Sequence, residues 1–123
     1  MALISVGGFT PVEQKRKIQL IEDSLCAVQA AAADGVVAGG GTALAQTARA
    51  LDGVISTHEG DVRAGIELVR SVLTRPVQRI ALNAGRDSDA IVETVVEARN
   101  GHGYDASAGG YRDMFEAGVI DPV

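Results

Sequence analysis

The stretch GVVAGGGTALAQTARAL, residues 35–51, sets Gly39, Gly40 and Gly41 between an apolar, strand-like run and an alanine-rich helical pattern. Three adjacent residues without a Cβ are costly to order, so such a run belongs where bare backbone must come close to something. A phosphate, a nucleotide ring or a closely packed helix would each suit it. As a phosphate loop the pattern is incomplete. Gly35, four residues, Gly40 and the hydroxyl of Thr42 lie one residue from P-loop spacing, but Gly41 stands where the lysine that reaches the terminal phosphates would be. A dinucleotide fingerprint fails too, because Leu44 occupies the third glycine position. Two readings stay open: glycines that let a helix start close against other backbone, and close approach of an uncharged ligand portion such as a ribose.

A chain of 123 residues fits one domain, which buries roughly two-thirds of its extended surface. With two Phe, two Tyr and no Trp, its core must be built from Ala, Val, Ile and Leu, a composition that favours close-packed helices. The net charge of −5 argues against nucleic acid as partner, since neutralising a phosphate backbone needs clustered Lys and Arg. The one basic run, Lys15-Arg16-Lys17, reads as a solvated helix face. No run approaches the ~20 apolar residues of a membrane span, and the first residues lack the pattern of a signal peptide, so a soluble protein is expected. The single Cys26 excludes an internal disulfide and, among Leu25, Ala27 and Val28, reads as a buried structural thiol. His58 and His102 have no ligand-spaced neighbours, and no metal site is expected from them.

Along the chain, residues 2–6 (ALISV) read as a short strand. Thr10, Pro11 and Glu13 then supply a capping hydroxyl, a first-turn proline and an acid three residues after the cap, the start of a long helix. Its stripe of Ile18, Ile21, Leu25, Val28 and Ala32 steps by three and four to a glycine stop at Asp34-Gly35, and Asp23 falls off that stripe. Thr42 to Leu51 is predicted helical and residues 52–61 an exposed loop. Helices follow over Asp61–Leu73, from Pro76, and from a cap at Asp87 or Ser88. From Asn100 the Gly-, Asp- and Tyr-rich sequence suits a tight hairpin and then short helical turns.

Asp23, a mid-helix carboxylate, and the segments Tyr104-Asp105-Ala106-Ser107 and Val119-Ile120-Asp121-Pro122 are each unremarkable alone. Small side chains beside carboxylates would suit a flat purine and a ribose diol; as turn sequences they need no ligand. Together, however, IEDSL with GVVAGGGTAL, then AGIELVRSVLTRPVQRIALNAG, then GHGYDASAGGYRDMFEAGVIDP, in this order and spacing, resemble the group I chaperonins of the GroEL type over essentially the whole chain.

The resemblance implies a mainly α fold: residues 1–33 as the second segment of a hinge-like intermediate domain, and 34–123 as the C-terminal portion of the helical, ATP-binding equatorial domain with a small β-hairpin. It implies Asp23 as the hydrolytic carboxylate, Gly40 as a nucleotide contact, Asp105, Ala106 and Ser107 beside the adenine, and Asp121 on the ribose hydroxyls. Asp105 stands where the family usually has an amide, and an ionised acid only accepts hydrogen bonds. The implied cofactors are ATP and Mg2+, whose phosphate and metal ligands lie mostly outside these residues. The implied partners are unfolded polypeptides and a co-chaperonin, engaged through domains absent here, with further copies of the chain, in the cytoplasm. On this resemblance the chain reads as a fragment. A non-enzymatic self-association module is the alternative, and an unrelated small nucleotide-binding protein using Arg75, Arg79 and Arg86 a third reading.

Overall fold

The computed structural model describes residues 3–123. Among them are five helices, α1 (Pro11–Asp34), α2 (Thr42–Ile55), α3 (Gly60–Leu73), α4 (Arg75–Asn83) and α5 (Ser88–Glu97), and four short strands, β1 (Val36–Ala38), β2 (His102–Asp105), β3 (Gly110–Asp113) and β4 (Ile120–Pro122). The mainly α expectation is met. The chain forms two compact units, Met1–Val36 with Pro122–Val123, and Val37–Asp121.

In the first unit α1 starts as the sequence specifies. Thr10 accepts from the Glu13 amide at 3.2 Å, and the Glu13 carboxylate reaches back to the Phe9 amide at 3.0 Å and pairs with Lys17. Gly35, at φ +93°, ends the helix. Residues 3–8 form no strand, contrary to the reading of ALISV, whose Ala2 lies outside the described residues. β-branched residues need a ladder partner to become a strand. Here the carbonyls of Val6 and Gly7 are instead taken by the side chains of Gln14 and Lys17. The α1 stripe shares one face, yet no residue of α1 is buried, and Cys26 is exposed rather than the buried thiol expected from its apolar neighbours.

In the second unit the core gathers Ala45, Val77, Ala81, Ile91, Val95 and Tyr104, with Val92 and Val96 at its edge. α2, α4 and α5 thus meet through small or β-branched side chains. α2 runs four residues beyond the expected end at Leu51, and the loop shrinks to Ser56–Glu59. The Asp52-Gly53 pair that suggested a break is accommodated: the Arg70 guanidinium of α3 pairs with Asp52, and Gly53 sits in open space. Arg75, Arg79 and Arg86 form no ion pairs among the described residues. β2 and β3 form the expected antiparallel hairpin, Tyr104 opposite Tyr111 and Asp105 opposite Gly110. After it come hydrogen-bonded turns and then β4, which pairs with β1, in place of helical turns.

The glycine run is clamped by backbone on both sides. A Cβ at Gly41 would lie 2.6 Å from the Val77 amide nitrogen of α4, and one at Gly39 would lie 3.0 Å from the Ile120 nitrogen and the Val119 carbonyl. Gly41 also has φ +76°, a conformation costing other residues roughly 1–2 kcal/mol. Gly41→Ala should therefore cost roughly 2–4 kcal/mol, strain plus overlap with backbone that cannot rotate away. Gly85→Ala, at φ +68° with nothing near its missing Cβ, should cost only about 1–2 kcal/mol. Urea unfolding of the two variants checks the difference.

Candidate functional site

Gly40 sits at the centre of the turn between β1 and α2, at φ +65°. Its missing Cβ would lie 3.1 Å from Met114 Cε, 3.7 Å from the Tyr104 carbonyl and 3.8 Å from Val119 Cγ1. Met114 is fully buried beneath the turn. Around Gly40 the fold therefore collects the end of β2, which leads into Asp105, Ala106 and Ser107, and the approach to β4, which carries Asp121. Of the two readings left open by the spacing, close packing of a helix start is realised in the contacts of Gly39 and Gly41.

The carboxylates differ in their surroundings. Asp105 is buried, and its Oδ1 accepts from the Ser107 hydroxyl at 2.6 Å, the Ser107 amide at 2.9 Å and the Ala108 amide at 3.2 Å. Its Oδ2 lies 3.4 Å from Arg112 Nε on β3. The Ser107 hydroxyl first, then the Ala108 and Ser107 amides and the Arg112 charge, hold this carboxyl below the ordinary carboxylate range, against the opposing effect of burial. The group locks the β2–β3 turn, with Ala106 and Ser107 exposed at its tip. Asp121, by contrast, is exposed on β4, and its carboxylate makes no hydrogen bond or ion pair among the described residues. Asp23 is exposed on α1, in the other compact unit.

Three buried polar atoms lack hydrogen-bond partners among the described residues, Thr42 Oγ1, His102 Nδ1 and Tyr104 OH, although His102 Nδ1 lies 3.9 Å from Asp113 Oδ2. Thr42, wholly buried as the first residue of α2, takes the space that a side chain at Gly103 would need. Sequence reasoning missed Gln46. Its Nε2 donates to the carbonyls of Arg99 and His102, both at 3.1 Å, and its Oε1 accepts the Gly101 amide, tying α2 to the turn before β2. A glutamine amid alanines carries no local sign of this.

A bare glycine turn seated on a buried methionine, between a hairpin and a strand, within small-residue helices, is a fold with relatives of known structure. The open-state monomer of a group II chaperonin from Methanococcoides burtonii matches 94% of this chain with a TM-score of 0.73 and 26% identity, and 30% of that chain is covered. The fold is thus of the chaperonin class. The model of the TCP-1/cpn60 chaperonin family matches residues 1–123, and the chain belongs to that family. Chaperonin GroEL 4 of Bradyrhizobium diazoefficiens is 51% identical over 122 residues, and Chaperonin GroEL 3 of Frankia casuarinae 51% identical over 123. The chain spans 22% of the length of each.

A carboxyl with a depressed folded-state pKa contributes stability that is present above its unfolded value and lost as pH falls through the folded value. Asp105 should follow this rule. Asp105→Asn keeps an acceptor for the turn amides but loses the charge, so near neutral pH wild type should be more stable than Asp105→Asn, and Asp105→Ala least stable. The gap between wild type and Asp105→Asn should close as pH drops below about 4. Thermal unfolding across a pH series checks both statements.

Proposed function

We propose that this chain forms part of an ATP-dependent molecular chaperone of the cytoplasm that assists protein folding, and supplies the ribose and adenine side of its nucleotide pocket together with the hydrolytic acid. Family membership supports the chaperone role. The observation that carries the assignment of sites is the convergence on Gly40 of the segments leading to Asp105 and to Asp121, beside a turn without side chains. In this reading residues 1–33 are the intermediate-domain segment and 34–123 belong to the equatorial domain.

The residues present fit the uncharged end of a nucleotide. Asp121, exposed and unpartnered among the described residues, can accept both hydroxyls of a ribose diol. Ala106 and Ser107 offer backbone and small side chains to a flat base, while Asp105 keeps their turn in shape. They do not suffice for a magnesium ion: no cluster of three or more His, Cys, Asp or Glu that could hold a metal occurs among the described residues. Phosphate and metal ligands are therefore assigned to the remainder of the full-length protein, as are the surfaces for unfolded polypeptides and a co-chaperonin. Asp23 is assigned the proton of the attacking water, a task for an exposed carboxylate brought up by domain motion.

The test replaces the matching segment of the Bradyrhizobium relative with this chain and measures nucleotide binding and hydrolysis. Asp23→Ala should lower turnover roughly 100-fold or more with nucleotide affinity nearly unchanged. Asp121→Ala should weaken binding instead. Hydrolysis unaffected by Asp23→Ala in an assembled, active chimera would refute the assignment.

A second reading, the chain alone as a self-association module, has its own observation. α3 leaves Leu68, Val69 and Val72 exposed at 66%, 54% and 56%, an apolar strip without cover in the chain by itself. Light scattering of the isolated chain should show oligomers that dissociate in the double variant Leu68→Glu, Val72→Lys; an unchanged mass would exclude this strip as the contact.

A further inference from the structure

We propose that the Asn100-Gly101 dipeptide is a latent site of spontaneous deamidation, which Gln46 holds closed in the folded chain. Asn followed by Gly is the pair most open to this chemistry, because no side chain hinders the attacking nitrogen. The Gly101 backbone nitrogen attacks Cγ of Asn100 and forms a C–N bond, while Nδ2 departs as ammonia carrying the proton that the Gly101 amide gives up. The resulting five-membered imide is opened by solvent water at either of its two C–N bonds. One product is aspartate and the other isoaspartate, whose backbone runs through the former side chain. The net change is one water consumed, one ammonia released and one negative charge gained.

The substrate half of the reaction is available: Asn100 is exposed. The nucleophile is not. The Gly101 amide donates to Gln46 Oε1 at 3.1 Å, and the Gly101 carbonyl accepts from the Met114 amide at 2.9 Å. A Cβ on Gly101 would lie 3.1 Å from the Phe115 ring, so that ring covers the residue. The turn adds a conformational restraint. His102 N–H donates to the Arg99 carbonyl at 2.9 Å, Gly101 has φ +82°, and Asn100 has negative φ, which together make a type II turn. That turn gives Asn100 an extended ψ, of opposite sign to the one ring closure requires. Attack therefore needs the turn to open locally, and Gln46, with bonds to Arg99, Gly101 and His102, opposes that opening.

Modification would not stay local. Gly101 is bonded to Met114, and Met114 Cε packs under Gly40. An extra backbone atom at residue 100 displaces the partner of Met114 at the base of the hairpin, and with it the support of the glycine turn.

Incubating the 123-residue chain at mildly alkaline pH, folded and in urea, and mapping its peptides by mass and isoaspartate content, tests the proposal. Conversion at Asn100 should be at least about tenfold slower in the folded chain, with the Gly101 amide protected from hydrogen exchange. Gln46→Leu, folded by circular dichroism, should narrow that gap roughly fivefold or more, the effect of losing about 1 kcal/mol of hydrogen bonding. Equal rates in folded and unfolded wild type would overturn the proposal, as would a folded Gln46→Leu with unchanged conversion. Should Gln46→Leu not fold, the wild-type rate ratio together with Gly101 exchange decides: fast exchange at Gly101 would refute the lock, and slow exchange with slow conversion would establish it.

Discussion

Everything in the second unit depends on two backbones being allowed to touch at residues 39–41. Gly41 faces the Val77 amide of α4 and Gly39 faces the Val119–Ile120 peptide, at separations that leave no room for a Cβ. These contacts set where α2 begins. Once its first turn is placed, Ala45 and Ala48 enter the core, where Val77, Ala81, Ile91 and Val95 meet them. A core of such small side chains gains its energy from many close contacts, each weak, and therefore needs helices that approach closely. The glycines are the condition for that approach, and the scarcity of aromatic residues is its counterpart.

The same bareness limits what the turn can do chemically. Without a lysine it holds no charge against a triphosphate. The three candidate carboxylates have diverged by environment. Asp105 is turned inward and saturated by its own turn; Asp121 lies outward, exposed; Asp23 stands on a different compact unit altogether. One residue type thus serves as a turn lock, a candidate sugar ligand and a candidate base, and hydrogen-bond occupancy separates the first from the second.

Helix starts and stops were legible in the sequence because local chemistry governs them. Thr10, Pro11, Glu13 and Gly35 delimit α1, and Asp87 caps α5 by accepting from the Asp89 and Ala90 amides. Features that depend on distant partners were not legible. Residues 3–6 (LISV) have strand propensity but no ladder to join among the described residues, whereas the three-residue β4 exists only because β1 pairs with it. α2 passes through Asp52-Gly53 because a guanidinium from α3 meets Asp52, eighteen residues away in sequence. Cys26 looked buried from its chain neighbours, but burial is decided by what covers a helix face. The candidate site was legible only through resemblance: spacing alone gave Asp105, Asp121 and Asp23 no role, and gave no hint that Asp105 would spend its Oδ1 on the turn.

Gln46 shows why a polar residue in an alanine-rich helix can matter more to such a site than its apolar neighbours. Apolar contacts keep α2 and the hairpin close but do not fix the hairpin's register, since small side chains can slide. A primary amide can, because its donors and its acceptor point in different directions and each must find a specific partner. Gln46 reads the carbonyls of Arg99 and His102 and the amide of Gly101 together, a combination available at only one register of that turn. The register then passes through the Gly101–Met114 bond to the methionine beneath Gly40. The glycine turn is thus held from above by backbone it cannot yield to and from below by a side chain whose position a single glutamine sets.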